Sequence, residues 1–165
     1  MKEKEQNEVP GPKRTQLRRE MKNSLYIVIV GCGRVGSDLA NRLSLEGHAV
    51  VVIDRDESAF GALSPDFSGF RIEGDASHLS VLKEAKLSQT DVLIATTHED
   101  NVNLMVAQVA RKVFRVPQVS ARVFDPRREQ VYARLGIETV CPTSLAANVF
   151  LAAIHTGHAI LRGEG

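Results

Sequence analysis

The sequence has little of several features that would assign a chain to a specialised class of protein. Two cysteines cannot build a disulfide framework, so we expect a reducing, cytoplasmic environment. The longest apolar run, Leu25 to Val30, is far too short to span a bilayer, and the charged N-terminus lacks the apolar core of a signal peptide. A net charge of +1 over 165 residues argues against a strongly basic surface, so we expect no nucleic-acid partner. These absences leave an ordinary soluble chain, whose length suits one domain or one domain with a tail.

Residues 1–22 differ in composition from the rest of the chain. They hold seven basic and four acidic residues, about +3, whereas the remainder holds 14 basic and 16 acidic residues, or −2. Only four of their side chains are apolar, too few to offset the entropy lost on ordering. We therefore predict a flexible, disordered tail over 1–22 and a single folded domain over 23–160. A docking arm for an acidic membrane surface or a partner is the alternative interpretation of the tail.

From Leu25 onward, short apolar runs alternate with segments of helical periodicity. The predicted strands are 25–30, 49–53, 68–72, 91–95, 118–123 and 138–141. The predicted helices are 35–45, a short one after Asp56 through Leu63, 77–85 capped by Ser77, 101–114, 126–135 capped by Asp125, and 145–154 or beyond, capped by Thr143 or Ser144. Such alternation is typical of parallel strands joined by right-handed crossovers. It predicts an α/β fold, a doubly wound, parallel six-stranded sheet of the Rossmann type.

The strongest local signal is the G-x-G-x-x-G segment from Gly31 to Gly36, directly after the first strand and at the start of a helix. Gly31 permits the tight turn, Gly33 lets the backbone approach a pyrophosphate, and Gly36 allows the helix to pack close to the sheet. Free N–H groups at the helix start would hold the phosphates.

Asp54 ends the second strand, 18 residues after Gly36. A carboxylate at this place accepts hydrogen bonds from a ribose 2′-hydroxyl and repels a 2′-phosphate, which disfavours NADP. The adjacent Arg55 weakens that exclusion slightly. Asp54 cannot separate NAD from ATP, ADP or AMP, since all four have a free adenosine 2′-hydroxyl.

Five more residues have both a functional and a plain interpretation. Arg34 lies within the phosphate loop, where it is either a phosphate contact, which we favour, or a surface charge. Asp75 and Ala76 follow the third strand, either beside the adenine or in a simple capped turn. Thr96 and Thr97 end the fourth strand, where their hydroxyls either line the crevice or cap ordinary structure.

Neither cysteine nor histidine chemistry is well supported. A helix N-terminus could activate Cys32, but a small residue that fills the turn is the simpler interpretation. His155 and His158 could share a metal only with further ligands, and no convincing set is visible, so we expect no metal site. No catalytic constellation stands out, and the sheet uses nearly all of the chain. A complete oxidoreductase, which needs a substrate domain or long loops for acid–base groups, is therefore poorly supported.

Five segments of the sequence occur in a characteristic order: Gly31-Cys32-Gly33-Arg34-Val35-Gly36, Val52-Ile53-Asp54-Arg55-Asp56, Gly74-Asp75-Ala76, Ala95-Thr96-Thr97-His98-Glu99-Asp100-Asn101, and Arg134-Leu135-Gly136-Ile137-Glu138-Thr139-Val140-Cys141-Pro142. In these segments the sequence resembles the N-terminal domain of the regulators of potassium conductance, also called the KTN or Trk/Ktr regulatory domain. The resemblance covers roughly residues 23–155.

The resemblance implies a cytosolic gating subunit and not an enzyme. Such domains bind NAD(H) or adenine nucleotides, form homodimers in which the last helix crosses to the partner, and assemble into higher rings. The rings lie beneath a potassium channel or transporter, peripheral to the inner membrane through the pore subunit. The implied binding residues are Gly31, Cys32, Gly33, Arg34, Val35 and Gly36 in the phosphate loop, Asp54 at the ribose with the adjacent Arg55, Asp75 and Ala76 at the adenine, Thr96 and Thr97 in the crevice, and Arg122 at the phosphates.

Two departures from the family pattern matter. Many members carry a second, C-terminal ligand-sensing domain that this sequence lacks, so the chain is either a piece of a longer regulator or a short regulator. Some members have Glu after the proline of the sixth-strand segment, at a metal-linked contact, whereas Thr143 follows Pro142 here.

An NAD-dependent oxidoreductase, or the nucleotide-binding fragment of one, is the alternative to the regulatory subunit.

Overall fold

The computed structural model describes residues 24–156, in which six strands alternate with five α-helices. The strands are β1 (Tyr26–Val30), β2 (Ala49–Asp54), β3 (Phe70–Glu73), β4 (Val92–Ala95), β5 (Gln118–Arg122) and β6 (Glu138–Val140). The helices are α1 (Arg34–Leu45), α2 (Leu79–Glu84), α3 (Asp100–Lys112), α4 (Pro126–Ala133) and α5 (Pro142–Thr156), with two 3₁₀ helices at Glu57–Ala62 and Leu87–Gln89. The tail predicted over 1–22 lies outside the described residues.

The strands form one sheet in the order β3-β2-β1-β4-β5-β6, and every neighbouring pair is parallel. The chain runs outward from β1 to β3 and then returns to β4 on the other side of β1. This confirms the predicted doubly wound sheet. The reversal of direction between β1 and β4 opens a crevice at the carboxyl ends of these strands, the usual ligand site of the fold.

The central strand β1 is buried on both faces. Val28 and Val30 belong to one apolar cluster, whereas Ile27 and Ile29 belong to a second cluster on the opposite face. Because successive side chains of a strand point to opposite faces, a continuous apolar run is what such a strand requires. The sheet is therefore a rigid platform on which the loops at its carboxyl edge are held.

Strand β3 begins two residues later than the sequence predicts. The prediction placed it at 68–72, but its ladder with β2 runs from Phe70 to Glu73. The Ser68 N–H donates to the hydroxyl of Ser44 on α1, at 3.2 Å, and is therefore used outside the sheet.

Two predicted helix caps are wrong, and both for the same reason. Ser77 does not cap α2, which begins at Leu79, because its N–H and hydroxyl both bond to the carboxylate of Asp75. Helix α5 begins at Pro142, so Thr143 and Ser144 lie inside its first turn, and the Ser144 hydroxyl bonds to Glu129 of α4. The hydroxyl of each serine, Ser77 and Ser144, is hydrogen-bonded to a carboxylate and not to the start of its helix. The caps predicted at Asp56 and Asp125 are confirmed, since each carboxylate accepts an N–H two residues on.

Candidate functional site

A cleft of about 650 Å³ opens at the carboxyl edge of the sheet. Ten of the residues singled out in the sequence line it: Gly31, Gly33, Arg34, Asp54, Arg55, Asp75, Ala76, Thr96, Thr97 and Arg122. Cys32, Val35 and Gly36, from the same glycine-rich motif, are not among the lining residues. The five separate segments singled out in the sequence thus come together around one continuous cavity in the fold.

The glycine-rich loop has its geometry because of two glycines. Gly31 has a positive φ of 101°, which strains any residue with a side chain, and a Cβ there would lie 2.8 Å from the backbone N of Thr97. A Cβ on Gly36 would lie 1.8 Å from the carbonyl oxygen of Gly31. Gly33 is different, since a Cβ there would meet no atom within 4 Å. Gly33 is exposed in the cleft, so its missing side chain leaves the space that a phosphate group needs.

Asp54 is fixed to the glycine-rich loop by a hydrogen bond. The Cys32 N–H donates to Asp54 Oδ2 at 2.7 Å, and the Asp56 N–H donates to Asp54 Oδ1 at 3.0 Å. Each carboxylate oxygen can still accept a further bond. The half-buried carboxylate is therefore oriented in advance for hydroxyl groups such as those of a ribose.

Cys32 itself does not have the properties of a reactive thiol. Its side chain is 1% exposed, and burial, with a smaller contribution from the Asp54 carboxylate, raises the pKa of the Cys32 thiol to about 11. A thiolate is therefore scarce at neutral pH. This agrees with the interpretation of Cys32 as a small residue that fills the turn.

Two arginines are available for an anion in the cleft. Arg34 is exposed at the start of α1, where the helix N–H groups also point outward. Arg122 ends β5, and its guanidinium lies 3.9 Å above the ring centroid of Phe124. The Arg122 Nε is buried and is the one such side-chain atom in the described region without a hydrogen-bond partner. A buried donor left unpaired is costly, so this nitrogen fits an anionic ligand in the cleft.

Asp75 is held in a tight turn after β3. The Ser77 hydroxyl and the Ser77 N–H both donate to its carboxylate, and these bonds lower the pKa of Asp75 below its usual range. The neighbouring Ala76 is buried. Asp75 is therefore ionised at neutral pH and adds negative charge to the β3 side of the cleft.

The hydroxyls of the two threonines after β4 form hydrogen bonds within the protein. Thr96 Oγ1 donates to the carbonyl oxygens of Val30 and Gly31, at 3.2 and 3.1 Å. Thr97 Oγ1 lies 2.7 Å from Asn103 Oδ1. Both residues border the cleft, but these bonds correspond to the plainer of their two interpretations, that of holding the loops in place.

Sequence reasoning missed Asn103, which is fully buried in α3. Its Oδ1 accepts the N–H and hydroxyl of Thr97, and its Nδ2 donates to the carbonyl oxygens of Thr97 and Arg122, at 3.0 and 3.1 Å. Asp100, one turn earlier, accepts the Phe124 N–H at 2.8 Å. The sequence did carry a signal, since Asn103 is a polar residue between Val102 and Val106 on the apolar face of a predicted helix.

An ion pair lies at the mouth of the cleft, between the ends of β2 and β4. Arg55 Nη2 is 3.1 Å from Glu99 Oε1, and His98 Nε2 is 3.5 Å from the same oxygen. Glu99 lies in one of the segments that carry the family resemblance, but its pairing with Arg55 was not visible in the sequence, because 44 positions separate the two residues. The ion pair engages the arginine that directly follows Asp54.

Helix α5 carries exposed apolar side chains around most of its circumference. Its large apolar residues are all at least 43% exposed: Leu145, Val149, Phe150, Leu151 and Ile154. A soluble monomer rarely presents so much apolar helix surface to water. The described part of the domain therefore does not bury this helix. That a partner covers the helix stays a prediction.

No group of three or more His, Cys, Asp or Glu side chains is placed to hold a metal ion within residues 24–156. His155 is exposed on α5, and His158 lies outside the described residues. Over the same part of the chain, none of the helices combines the length and apolarity needed to cross a membrane.

The family model for the TrkA-N domain matches residues 27–143. The Trk system potassium uptake protein TrkA of Streptomyces coelicolor is 45% identical over 127 residues, which are 77% of this chain and 57% of that protein. The TrkA homolog of Methanothermobacter thermautotrophicus is 33% identical over 132 residues, 80% of this chain and 61% of that protein. The chain thus spans less than two thirds of the length of these relatives.

Solved structures share the fold. The TrkA-N domain of the inner membrane protein ybaL from Escherichia coli has a TM-score of 0.70 at 21% identity and covers 80% of this chain and 98% of its own. The GsuK channel bound to NAD has a TM-score of 0.67 at 24% identity, over 79% of this chain and 23% of that one. The Shewanella denitrificans Kef C-terminal domain in its AMP-bound form has a TM-score of 0.66 at 24% identity, over 81% and 82%. By the match to its family model and to its curated relatives, the chain belongs to the TrkA-N domain family.

Proposed function

We propose that this domain is the nucleotide-sensing part of a cytoplasmic regulatory subunit of potassium transport. It binds NAD(H) or an adenine nucleotide in the cleft at the carboxyl edge of the sheet. It dimerises through α5 and assembles into a ring against the membrane subunit of a Trk/Ktr-type transporter or channel. The names of its relatives, and the NAD and AMP held by proteins of the same fold, support this assignment.

One observation carries the ligand assignment. The cleft combines an open glycine position, a carboxylate oriented toward it, and a buried guanidinium nitrogen that has no partner. Gly33 and the start of α1 accommodate a pyrophosphate, Asp54 accepts ribose hydroxyls, and Arg122 with Arg34 balances the phosphate charge. An adenosine ribose and at least one phosphate group are what adenine nucleotides and NAD have in common, so the proposal covers both.

A short chain of contacts leads from the ligand site to α5. The Arg122 guanidinium rests on Phe124, and the carbonyl oxygen of Phe124 accepts a weak bond from Cys141 Sγ at 3.8 Å. The carbonyl oxygen of Cys141 in turn accepts the Leu145 N–H in the first turn of α5. A phosphate that draws Arg122 inward therefore acts on the loop that anchors the exposed helix.

Regulation requires that the ligand distinguish two arrangements of the assembly. A ligand that binds both with equal affinity shifts nothing, however tightly it binds. On this account the phosphate groups provide the difference, because Arg122 adjoins the loop that leads to α5. Ligands with different phosphate content then favour different angles between the two protomers of the dimer.

Potassium uptake in cells tests the proposal. Deleting the gene should change the rate of rubidium or potassium uptake, and expression of the wild-type gene should restore it. A variant with Asp54→Ala should restore it poorly, while Asp38→Asn, which removes an exposed carboxylate outside the cleft, should restore it fully. Uptake that is unaffected by deletion would overturn the regulatory assignment. Steady turnover of NAD with a small carbonyl or alcohol would favour the oxidoreductase instead.

A further inference from the structure

Arg55 stands where a cation usually decides which dinucleotide a fold of this kind accepts. It follows Asp54 directly at the end of β2 and lines the cleft. In dinucleotide-binding folds, an arginine near this position receives the 2′-phosphate of NADP, whereas the acidic residue selects the free 2′-hydroxyl. A guanidinium is well suited to the task, since its donors match the oxygens of a phosphate. Taken alone, Arg55 would therefore weaken the selection that Asp54 makes.

Glu99 forms an ion pair with Arg55, so the guanidinium is not free to bind a phosphate. Its Oε1 lies 3.1 Å from Arg55 Nη2, and its backbone belongs to the opposite side of the crevice, between β4 and α3. The Glu99 side chain forms no capping hydrogen bond to α3, so its interactions are those with Arg55 and with His98. The carboxylate is thus directed to the cleft mouth and not to the helix it precedes.

The surroundings of Arg55 are acidic. Asp54, Asp56, Asp75 and Glu99 all line the same cleft. Hydrogen bonds from Ser58 and Ser77 lower the pKa of Asp56 and of Asp75 respectively, so both are ionised at neutral pH. A 2′-phosphate, with a charge of about −1.5 to −2, would have to displace Glu99 and remain among these carboxylates.

We propose that Glu99 is a specificity-determining residue that, by holding Arg55, excludes nucleotides carrying a 2′-phosphate from the cleft. Asp54 selects the free 2′-hydroxyl by accepting its hydrogen bond. Glu99 keeps the neighbouring Arg55 from binding a 2′-phosphate. This inference rests on the proposed function, because it presupposes that the cleft holds NAD or an adenine nucleotide. Within that ligand class, the nucleotides with a 2′-phosphate are excluded, and Glu99 is the residue responsible.

Two matched ligand pairs test the inference in the full chain. NAD and NADP differ only by the 2′-phosphate, as do AMP and adenosine 2′,5′-bisphosphate. We expect Glu99→Gln to lower the preference for the unphosphorylated member by about fivefold, the scale of one exposed ion pair. The double variant Glu99→Gln, Arg55→Ala should regain the wild-type preference or exceed it, since no cation is left to hold the phosphate. Raising the salt concentration should diminish the effect of Glu99→Gln.

Each possible result has a distinct meaning. An unchanged preference in Glu99→Gln, with normal binding of NAD or AMP, overturns the role of Glu99 and leaves the proposed function intact. A lowered preference that persists in the double variant also overturns it, because Arg55 would then not be the group released. Failure of the wild-type chain to bind NAD, AMP or ADP overturns the proposed function and the inference together. Thermal unfolding of both variants near the wild-type temperature shows that the fold is unaffected.

Discussion

The Cys32 N–H donates a 2.7 Å hydrogen bond to Asp54 Oδ2, which joins the glycine-rich loop to the carboxylate at the end of β2. The two parts of the site that would hold phosphate and ribose are therefore positioned by one contact. Because Asp54 also accepts the Asp56 N–H, its orientation is set before any ligand arrives. This preorganisation lowers the entropy cost of binding.

Replacement of Asp54 should weaken every adenosine ligand. We expect Asp54→Ala to raise the dissociation constants for ADP, AMP and NAD by about ten- to hundredfold, the scale of hydrogen bonds to a charged group. Calorimetric titration measures this directly, and Asp38→Asn is the matched control on an exposed carboxylate outside the cleft. Equal affinities in Asp54→Ala and wild type would refute the ribose assignment.

Replacement of Arg34 should separate ligands by their phosphate content. Arg34→Ala should weaken ADP and ATP by about tenfold and AMP by less, because a charge-assisted bond is lost only where a second phosphate reaches it. Arg42→Ala, on the same helix but outside the cleft, should leave all affinities unchanged. A uniform loss across the three ligands would show that Arg34 does not act on the outer phosphates.

Asn103 should be important for stability as well as for the site. Asn103→Ala leaves the carbonyl oxygen of Arg122 and the backbone of Thr97 without their partners, so we expect a loss of about 2–3 kcal/mol in the free energy of unfolding. Urea denaturation measures it. Asn101→Ala, which removes only an exposed bond to Arg128, should cost less than about 0.5 kcal/mol. Similar losses in both variants would contradict the role assigned to Asn103.

The exposed face of α5 should be responsible for association. We expect Phe150→Asp to convert a dimer or ring into a monomer, because it puts a charge into a desolvated interface. Light scattering coupled to size exclusion measures the mass. Leu45→Asp, at an equally exposed leucine on α1, is the control and should not change it. Dissociation by Leu45→Asp and not by Phe150→Asp would move the interface away from α5.

The raised pKa of Cys32 should be visible in the pH dependence of stability. A thiol with a folded-state pKa of about 11 and an ordinary value of 9.0 stabilises the fold fully below pH 9. That contribution is lost as the pH rises from 9 toward 11, because the unfolded thiol ionises first. Unfolding free energies measured across this range should fall less steeply for Cys32→Ala. Identical slopes would show that the thiol is not shielded from water.

What the sequence predicted well is what is decided locally. The apolar run of β1, the turn at Gly31, the close packing at Gly36 and the caps at Asp56 and Asp125 are confirmed. The binding of phosphate by the glycine-rich loop stays a prediction. The caps assigned to Ser77 and Ser144 failed because each hydroxyl had another partner, which only the fold reveals.

The long-range relationships in the site could not be predicted. The Arg55–Glu99 pair joins the ends of β2 and β4, which β1 separates in the sheet, and the bond of Asn103 to Arg122 joins α3 to β5. These segments meet only when the whole sheet has formed. The same is true of the unpaired Arg122 nitrogen above Phe124. Sequence spacing predicted ten residues that line the cleft but not the interactions among them.

The proposed function depends on the binding of an adenine nucleotide or NAD in the cleft. An equilibrium titration of the purified chain with ATP, ADP, AMP, NAD and NADH, each repeated with Asp54→Ala, tests this binding. The account predicts saturable binding of at least one of these ligands, at one site per chain, with a loss of affinity in the variant. No binding of any of the five, or binding that Asp54→Ala leaves unchanged, would contradict it.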